Sequence, residues 1–194
     1  MGQALPRRRR GFARDEKGAT AVEFGLLALP FFSILAAILE TSVVLLSSQV
    51  LEGAVHDISR LVRTGQAQQS AMTADRFKEL VCGRVYGLFP DCSLLHVEVE
   101  VIDAFGEIDI SPPVNWSCSA PKPGQTEVEA KADCAAWTRP EIFDMGGGSE
   151  IVTVQVYYKW PIIVPFGGLG LGNLPDGRRL MGAATVFRNE PFSG

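Results

Sequence analysis

A long apolar segment with one carboxylate near its start constrains this chain more than any other feature. Residues 24–39 form sixteen consecutive positions without a charge, and a basic stretch precedes them. A basic flank followed by such a segment predicts either a cleavable secretion signal or a membrane anchor. Glu23 lies at the start of the apolar segment, where a charge is disfavoured. The sequence therefore raises the question of what neutralises this carboxylate.

Helix geometry offers one partner for Glu23. In a helix that begins at Ala19, Glu40 lies roughly 31 Å further on, close to the thickness of the hydrocarbon core, whereas Glu23 lies only about 6 Å inside. If the chain were cut between Gly18 and Ala19, the new α-amine would share a helix face with Glu23. The alternative is an ordinary signal anchor whose Glu23 side chain extends to the interface. Position alone leaves both alternatives open.

The residues around Glu23 favour processing. Gly18, followed by four small or apolar residues and then Glu23 and Phe24, resembles the cleavage site of type IV prepilins. More closely, it resembles the TadE-like proteins of tight-adherence pilus systems. The similarity continues through Pro30, Glu40, residues 49–51, Arg60, residues 63–66 and residues 183–192.

The resemblance implies a processing site and a set of partners. A prepilin peptidase would cut after Gly18, and Glu23 would then neutralise the Ala19 amine of its own chain or of a neighbouring subunit. Phe24 completes the processing site, and we assign Pro30 and Glu40 to helix packing. The implied partners are the prepilin peptidase, the major pilin, other TadE-like subunits and the inner-membrane assembly platform, with membrane lipid around the helix. We therefore predict a minor pilin or pseudopilin.

Charge is distributed unevenly along the chain. The net charge is −4, but residues 1–18 carry six basic and two acidic groups, which leaves twelve basic and twenty acidic groups for the remainder. An acidic body argues against nucleic-acid binding. The basic leader, residues 1–18, is typical of a cytoplasmic flank. We expect one pass through a bacterial inner membrane, with the C-terminal domain in the periplasm, or outside the cell in the assembled pilus.

The long helix is predicted to extend beyond the membrane. We expect it to span residues 19–65, with its transmembrane part at about 19–46, and to end at Gly65. Its second half carries an apolar stripe with helical spacing on which a soluble domain could pack. The stripe consists of Leu51, Ala54, Val55, Ile58, Leu61 and Val62.

The remaining residues, 66–194, predict an extracytoplasmic domain. Residues 70–89 have the pattern of a second helix with Thr73 as its N-cap. Strand patterns occupy 94–105, 151–164 and 179–189. Residues 106–149 are rich in proline and glycine, and we expect an irregular loop there. The fold class is therefore α+β, pilin-like, with a small three-stranded antiparallel sheet packed on the long helix.

The residues capable of chemistry do not assemble into an active site. The four cysteines contain no Cys-x-x-Cys pair, and an even number outside the cytoplasm predicts two disulfides. Of three possible connectivities we favour Cys82–Cys92 and Cys118–Cys134. His56 and His96 are expected on exposed faces, and no triad, metal site or cofactor site is predicted. Two other classes remain open: a signal-anchored periplasmic binding or sensor domain, and a secreted hydrolase released by ordinary signal cleavage.

Overall fold

The computed structural model describes residues 18–116, 118, 124–163 and 170–192, so residues 1–17 of the predicted leader lie outside the described part. The first element, α1, is a single helix of 45 residues, Ala19–Arg63. Pro30 lies inside α1 without ending it. The helix therefore starts and stops within two residues of the bounds that the sequence predicts.

The described residues fall into two units that divide between Leu39 and Glu40. In the first unit, the large apolar side chains are exposed on every side of the helix. This segment is long and apolar enough to cross a membrane, judged by length and composition. A helix that is apolar all round needs an apolar environment, which is what a bilayer or a bundle of similar helices supplies.

The second unit is an α+β domain built around the C-terminal half of α1. Leu51, Val55, Ile58 and Val62 are buried in one core together with valines from the sheet. The apolar stripe predicted from helical spacing is thus the face that the domain covers. Burying it removes from water the side chains that this half of α1 would otherwise expose.

The sheet has four strands in the order β2-β1-β3-β4. They are β1 (His96–Ile102), β2 (Ile142–Phe143), β3 (Ile151–Trp160) and β4 (Arg179–Arg188). β1 pairs antiparallel with β3, and β3 pairs antiparallel with β4. The two-residue β2 pairs with β1 in parallel. The three predicted antiparallel strands are confirmed, but the sheet is mixed because β2 joins its edge.

Two short helices connect α1 to the sheet. α2 (Gln66–Gln69) follows directly, and α3 (Ala74–Arg84) begins at Thr73, whose side chain accepts a hydrogen bond from the Arg76 amide at 3.2 Å. The predicted N-cap is therefore confirmed. α3 ends at Arg84 rather than near residue 89, because Tyr86 and Gly87 adopt positive φ angles that a right-handed helix does not permit.

The region expected to be one irregular loop contains regular structure. Besides β2, it includes α4 (Glu127–Ala135). A disulfide joins Cys118 to Cys134, in the last turn of α4, and a second disulfide joins Cys82 in α3 to Cys92. These are the two pairs that the sequence analysis favours. The Cys118–Cys134 disulfide joins two parts of this proline-rich region, and it limits the conformations that the region can adopt in the unfolded chain.

Candidate functional site

The residues of the predicted processing site lie at the beginning of α1. Ala19 is the first helical residue and Gly18 immediately precedes it. Glu23 is exposed and lies four residues after Ala19 in the same helix, and the Phe24 side chain is also exposed. Positions four apart in a helix are neighbours on its surface. An α-amine at Ala19 could therefore reach the Glu23 carboxylate.

The two residues assigned to helix packing have different surroundings. Pro30 is exposed within the apolar segment, as a residue that contacts lipid or another helix would be. Glu40 is only 9% exposed, and its Oε1 accepts a hydrogen bond of 2.6 Å from the backbone amide of Ile163. Glu40 thus holds the segment after β3 against α1 within its own chain. This contact joins residues 123 positions apart, and helical spacing carries no signal for it.

The residues after α1 and the last described residues of the chain meet at the far end of the helix. Gly65 has φ +79°, and a Cβ added there would lie 2.7 Å from the Phe192 ring. The Glu190 amide donates a hydrogen bond of 2.8 Å to the Arg63 carbonyl oxygen, and the two side chains approach within 3.8 Å. Arg63 and Gly65 are therefore packed directly against Glu190 and Phe192. Gly65 is needed both for its left-handed backbone and for the space that the ring fills.

The three consecutive glycines, residues 146–148, belong to the same junction. Asn189 is buried and its Nδ2 donates to the carbonyl oxygens of Met145 and Gly147 at 3.0 and 2.9 Å. A Cβ at Gly148 would lie 2.5 Å from the Phe192 carbonyl oxygen. The glycines thus allow the C-terminal backbone to approach closely, a role that composition alone did not reveal.

The sheet face that carries His96 and Glu98 is buried, contrary to the prediction for His96. Alternation predicts an exposed polar strand face for His96, but His96 is 2% exposed and Glu98 is 3% exposed. The Arg139 guanidinium donates through Nε and Nη2 to the two Glu98 oxygens, at 2.6 Å each. His96 Nε2 lies 3.0 Å from Glu98 Oε1. The prediction was wrong because described parts of the segment between Asp109 and Arg139 cover a strand face that alternation alone assigns to solvent.

The covering segment is held by further contacts that sequence reasoning missed. The centroid of the Trp137 ring lies 4.6 Å from that of the His96 ring and 4.0 Å from the Lys159 ammonium nitrogen. Lys159 Nζ also donates to the Ala136 carbonyl oxygen at 2.9 Å. Gln155 Nε2 donates to the Asp109 carbonyl oxygen at 2.8 Å. Both sheet faces are therefore covered along β3, whose ten residues are all buried.

Burial and pairing shift the pKa values of this polar cluster. Burial alone raises the pKa of Glu98, but the hydrogen bonds from Arg139 and His96 outweigh it and hold that pKa below its ordinary value. Burial lowers the pKa of Lys159 to about 8 and raises the pKa of Tyr157 to about 12. These shifts follow from burial in a packed interface, in which the contact between Arg139 and Glu98 attaches the segment after α4 to the sheet.

Comparison with known proteins supports the resemblance of the N-terminal helix α1 to a known family. Residues 18–60 match the family model of TadE-like proteins. No curated protein and no solved structure matches the chain. The family match begins at the predicted cleavage residue and covers most of α1, so the N-terminal helix is TadE-like and the resemblance found in the sequence is confirmed there.

Proposed function

Because its N-terminal helix is TadE-like, we propose that this protein is a minor pilin or pseudopilin of a tight-adherence pilus. The observation that carries the proposal is the family match over residues 18–60, which coincides with an exposed apolar helix that starts at Ala19. A prepilin peptidase cuts after Gly18. The processed chain stays anchored in the inner membrane by α1 until it joins the pilus assembly.

The mechanism is mechanical. Side chains exposed around residues 19–39 are apolar except Glu23 and a few small polar residues, so packing them among sister helices removes them from lipid. Glu23 meets the Ala19 amine of its own chain or of a neighbour and sets the axial register of the subunit. The domain that follows the transmembrane part, about residues 19–46, remains outside the bilayer. The partners are the major pilin, other TadE-like subunits, the prepilin peptidase and the assembly platform.

The mature N-terminus tests this proposal. The chain is expressed with a prepilin peptidase, extracted from membranes, and examined by N-terminal sequencing and intact mass. We expect the sequence to begin at Ala19, and a Gly18→Leu variant to keep its leader. The matched control is Gly25→Ala, since a Cβ at Gly25 meets nothing within 4 Å and leaves the cleavage site unchanged.

Two other outcomes would each replace the proposal with a different class of protein. A wild-type chain that keeps residues 1–18 in cells with an active peptidase would be a signal-anchored periplasmic domain. A chain that begins near Leu39 would be a secreted protein released by ordinary signal cleavage.

A further inference from the structure

The covering segment has two described arms, residues 109–116 and residues 134–139, which are bonded to each other as well as to the sheet. The Thr138 amide in the second arm donates a hydrogen bond of 2.9 Å to the Pro113 carbonyl oxygen in the first. Arg139 Nη2 donates to another carbonyl oxygen of the first arm at 2.8 Å. The two arms are therefore attached to the sheet together.

The hydrophobic core of the domain does not include either arm. Among the described residues, the members of this core and the side chains packed against it occur as far as Val101 in β1 and resume only at Phe143 in β2. Val114 in the first arm is 7% exposed, yet it lies outside that core. Parts of a protein that add little to its core can open while the rest stays folded. The packing of the sheet on α1 therefore does not require the covering segment.

The strand face beneath the covering segment is polar. Its side chains His96, Glu98, Gln155 and Lys159 are each at most 3% exposed. Water can supply the hydrogen bonds that these groups make to the covering segment. Uncovering them therefore costs less than uncovering apolar side chains of the same size would. A face of this kind can be covered by protein or hydrated.

The Cys118–Cys134 disulfide links the two arms covalently. Cys134 is the first residue of the second arm, and Cys118 comes two residues after the end of the first. Such a cross-link restricts an opened segment more than a closed one, and it therefore favours the closed state. The other disulfide joins Cys82 in α3 to Cys92, which packs against the hydrophobic core. The two disulfides therefore stabilise different parts of the domain.

We propose that the Cys118–Cys134 disulfide is a redox-dependent lock on the covering segment. While it is intact, both arms stay on the sheet. A dithiol reductant breaks it by thiol–disulfide exchange: one thiolate forms a mixed disulfide with the chain, and the second thiol of the reductant displaces the remaining cysteine. Two electrons and two protons pass to the cysteines, which become thiols, and the reductant becomes a disulfide. The covering segment then opens and the polar face is hydrated, while the core stays folded.

Amine labelling of Lys159 measures whether the face is covered. Lys159 Nζ donates to the Ala136 carbonyl oxygen at 2.9 Å in the closed chain, so its acylation requires opening. The full chain in detergent micelles is treated with an acetylating reagent, and mass spectrometry quantifies modification at this lysine. Cys118→Ser/Cys134→Ser removes the lock, and Cys82→Ser/Cys92→Ser is the matched control. Hydrogen exchange of the β3 amides in the same samples reports whether the sheet remains folded.

We expect Lys159 to be labelled at least about tenfold faster without the lock than in the wild type, because the restriction on the open segment is lost. Exchange of the β3 amides should be unchanged, and the control variant should be labelled as slowly as the wild type. Dithiothreitol added to the folded control variant, which retains only the Cys118–Cys134 disulfide, should produce the same rise.

Three results would overturn the proposal. The first is equal labelling of Lys159 with and without the Cys118–Cys134 disulfide. The second is a rise in labelling that is accompanied by faster exchange of the β3 amides, in the variant and in the reduced control alike, since the covering segment and the core would then unfold together. The third is an equal rise in the control variant before any dithiol is added, since the effect would then belong to either disulfide.

Discussion

Arg139 and Glu98 form a bidentate ion pair, in which Nε and Nη2 of Arg139 each lie 2.6 Å from an oxygen of the Glu98 carboxylate. The Glu98 side chain is 4% exposed and the Arg139 side chain is 35% exposed. The pair connects the segment that follows α4 to the first strand of the sheet. Both of its hydrogen bonds are charge-assisted, which makes them stronger than hydrogen bonds between neutral groups.

We expect Arg139→Ala to lower the free energy of unfolding by about 1.5–3 kcal/mol, since it leaves a buried carboxylate without its main donors. Urea unfolding of the full chain in detergent micelles, followed by tryptophan fluorescence, measures the change. Arg76→Ala is the matched control. It breaks an ion pair with Glu79 whose side chains are 60% and 67% exposed, and such pairs contribute under about 1 kcal/mol. Equal losses in the two variants would contradict the structural role of Arg139.

The lowered pKa of Glu98 predicts an acid-dependent loss of stability. Because the folded pKa lies below the ordinary value of 4.5, the unfolded chain takes up this proton first as the pH falls. The stabilisation is therefore present above about pH 4.5 and declines as the pH falls through the folded value. Glu98→Gln should unfold with a shallower dependence on pH in this range. Identical acid profiles for the variant and the wild type would exclude a contribution from Glu98.

Lys159 predicts a gain of stability as the pH rises in alkaline solution. Its pKa is about 8 in the folded chain and 10.5 ordinarily, so between these values the unfolded chain binds a proton that the folded chain has released. The free energy of unfolding should therefore rise with pH over this range. Lys159→Met should remove that part of the slope, whereas Lys78→Met, which breaks the ion pair to Glu141, should keep it. Calorimetry at several pH values gives both slopes.

Gly65→Ala tests the junction between α1 and the C-terminus. The new Cβ would need a left-handed backbone at φ +79° and would lie 2.7 Å from the Phe192 ring. We expect a loss of at least about 1–2 kcal/mol, the cost of that backbone alone. Gly53→Ala is the control, because a Cβ there meets nothing within 4 Å. In a helix interior this change should stabilise by up to about 1 kcal/mol. Chemical unfolding that showed the same sign for both variants would contradict the proposed packing.

Glu23→Ala tests the register of the subunit in the pilus. The helix becomes more apolar, so membrane insertion should remain intact, but the Ala19 amine loses its partner and incorporation into filaments should fail. Immunoblots of sheared pili and of membranes measure the two pools. Glu52→Ala, an exposed glutamate further along α1, should leave both pools unchanged. Pili with normal amounts of the Glu23→Ala subunit would argue against the register.

Local patterns in the chain were sufficient for several parts of the fold. Helical spacing predicted the stripe from Leu51 to Val62, and alternation predicted β1, β3 and β4. The Thr73 cap was also predictable, because a cap and the amide it accepts lie three residues apart. Such features depend on neighbours in the sequence, and a periodic pattern is therefore enough to identify them.

By itself, the sequence determined the apolar helix, its family resemblance and the three main strands, because each depends on a pattern of residues that are close together in the sequence. Only the tertiary structure decided that His96 and Glu98 are buried, that Glu40 binds the Ile163 amide, and that the C-terminus fills the space beside Gly65. The physical reason is that polar and apolar residues alternate along a strand in the same way whether its polar face meets water or another segment. Whether the polar face meets water or protein depends on where the folded chain places residues that are dozens of positions away in the sequence.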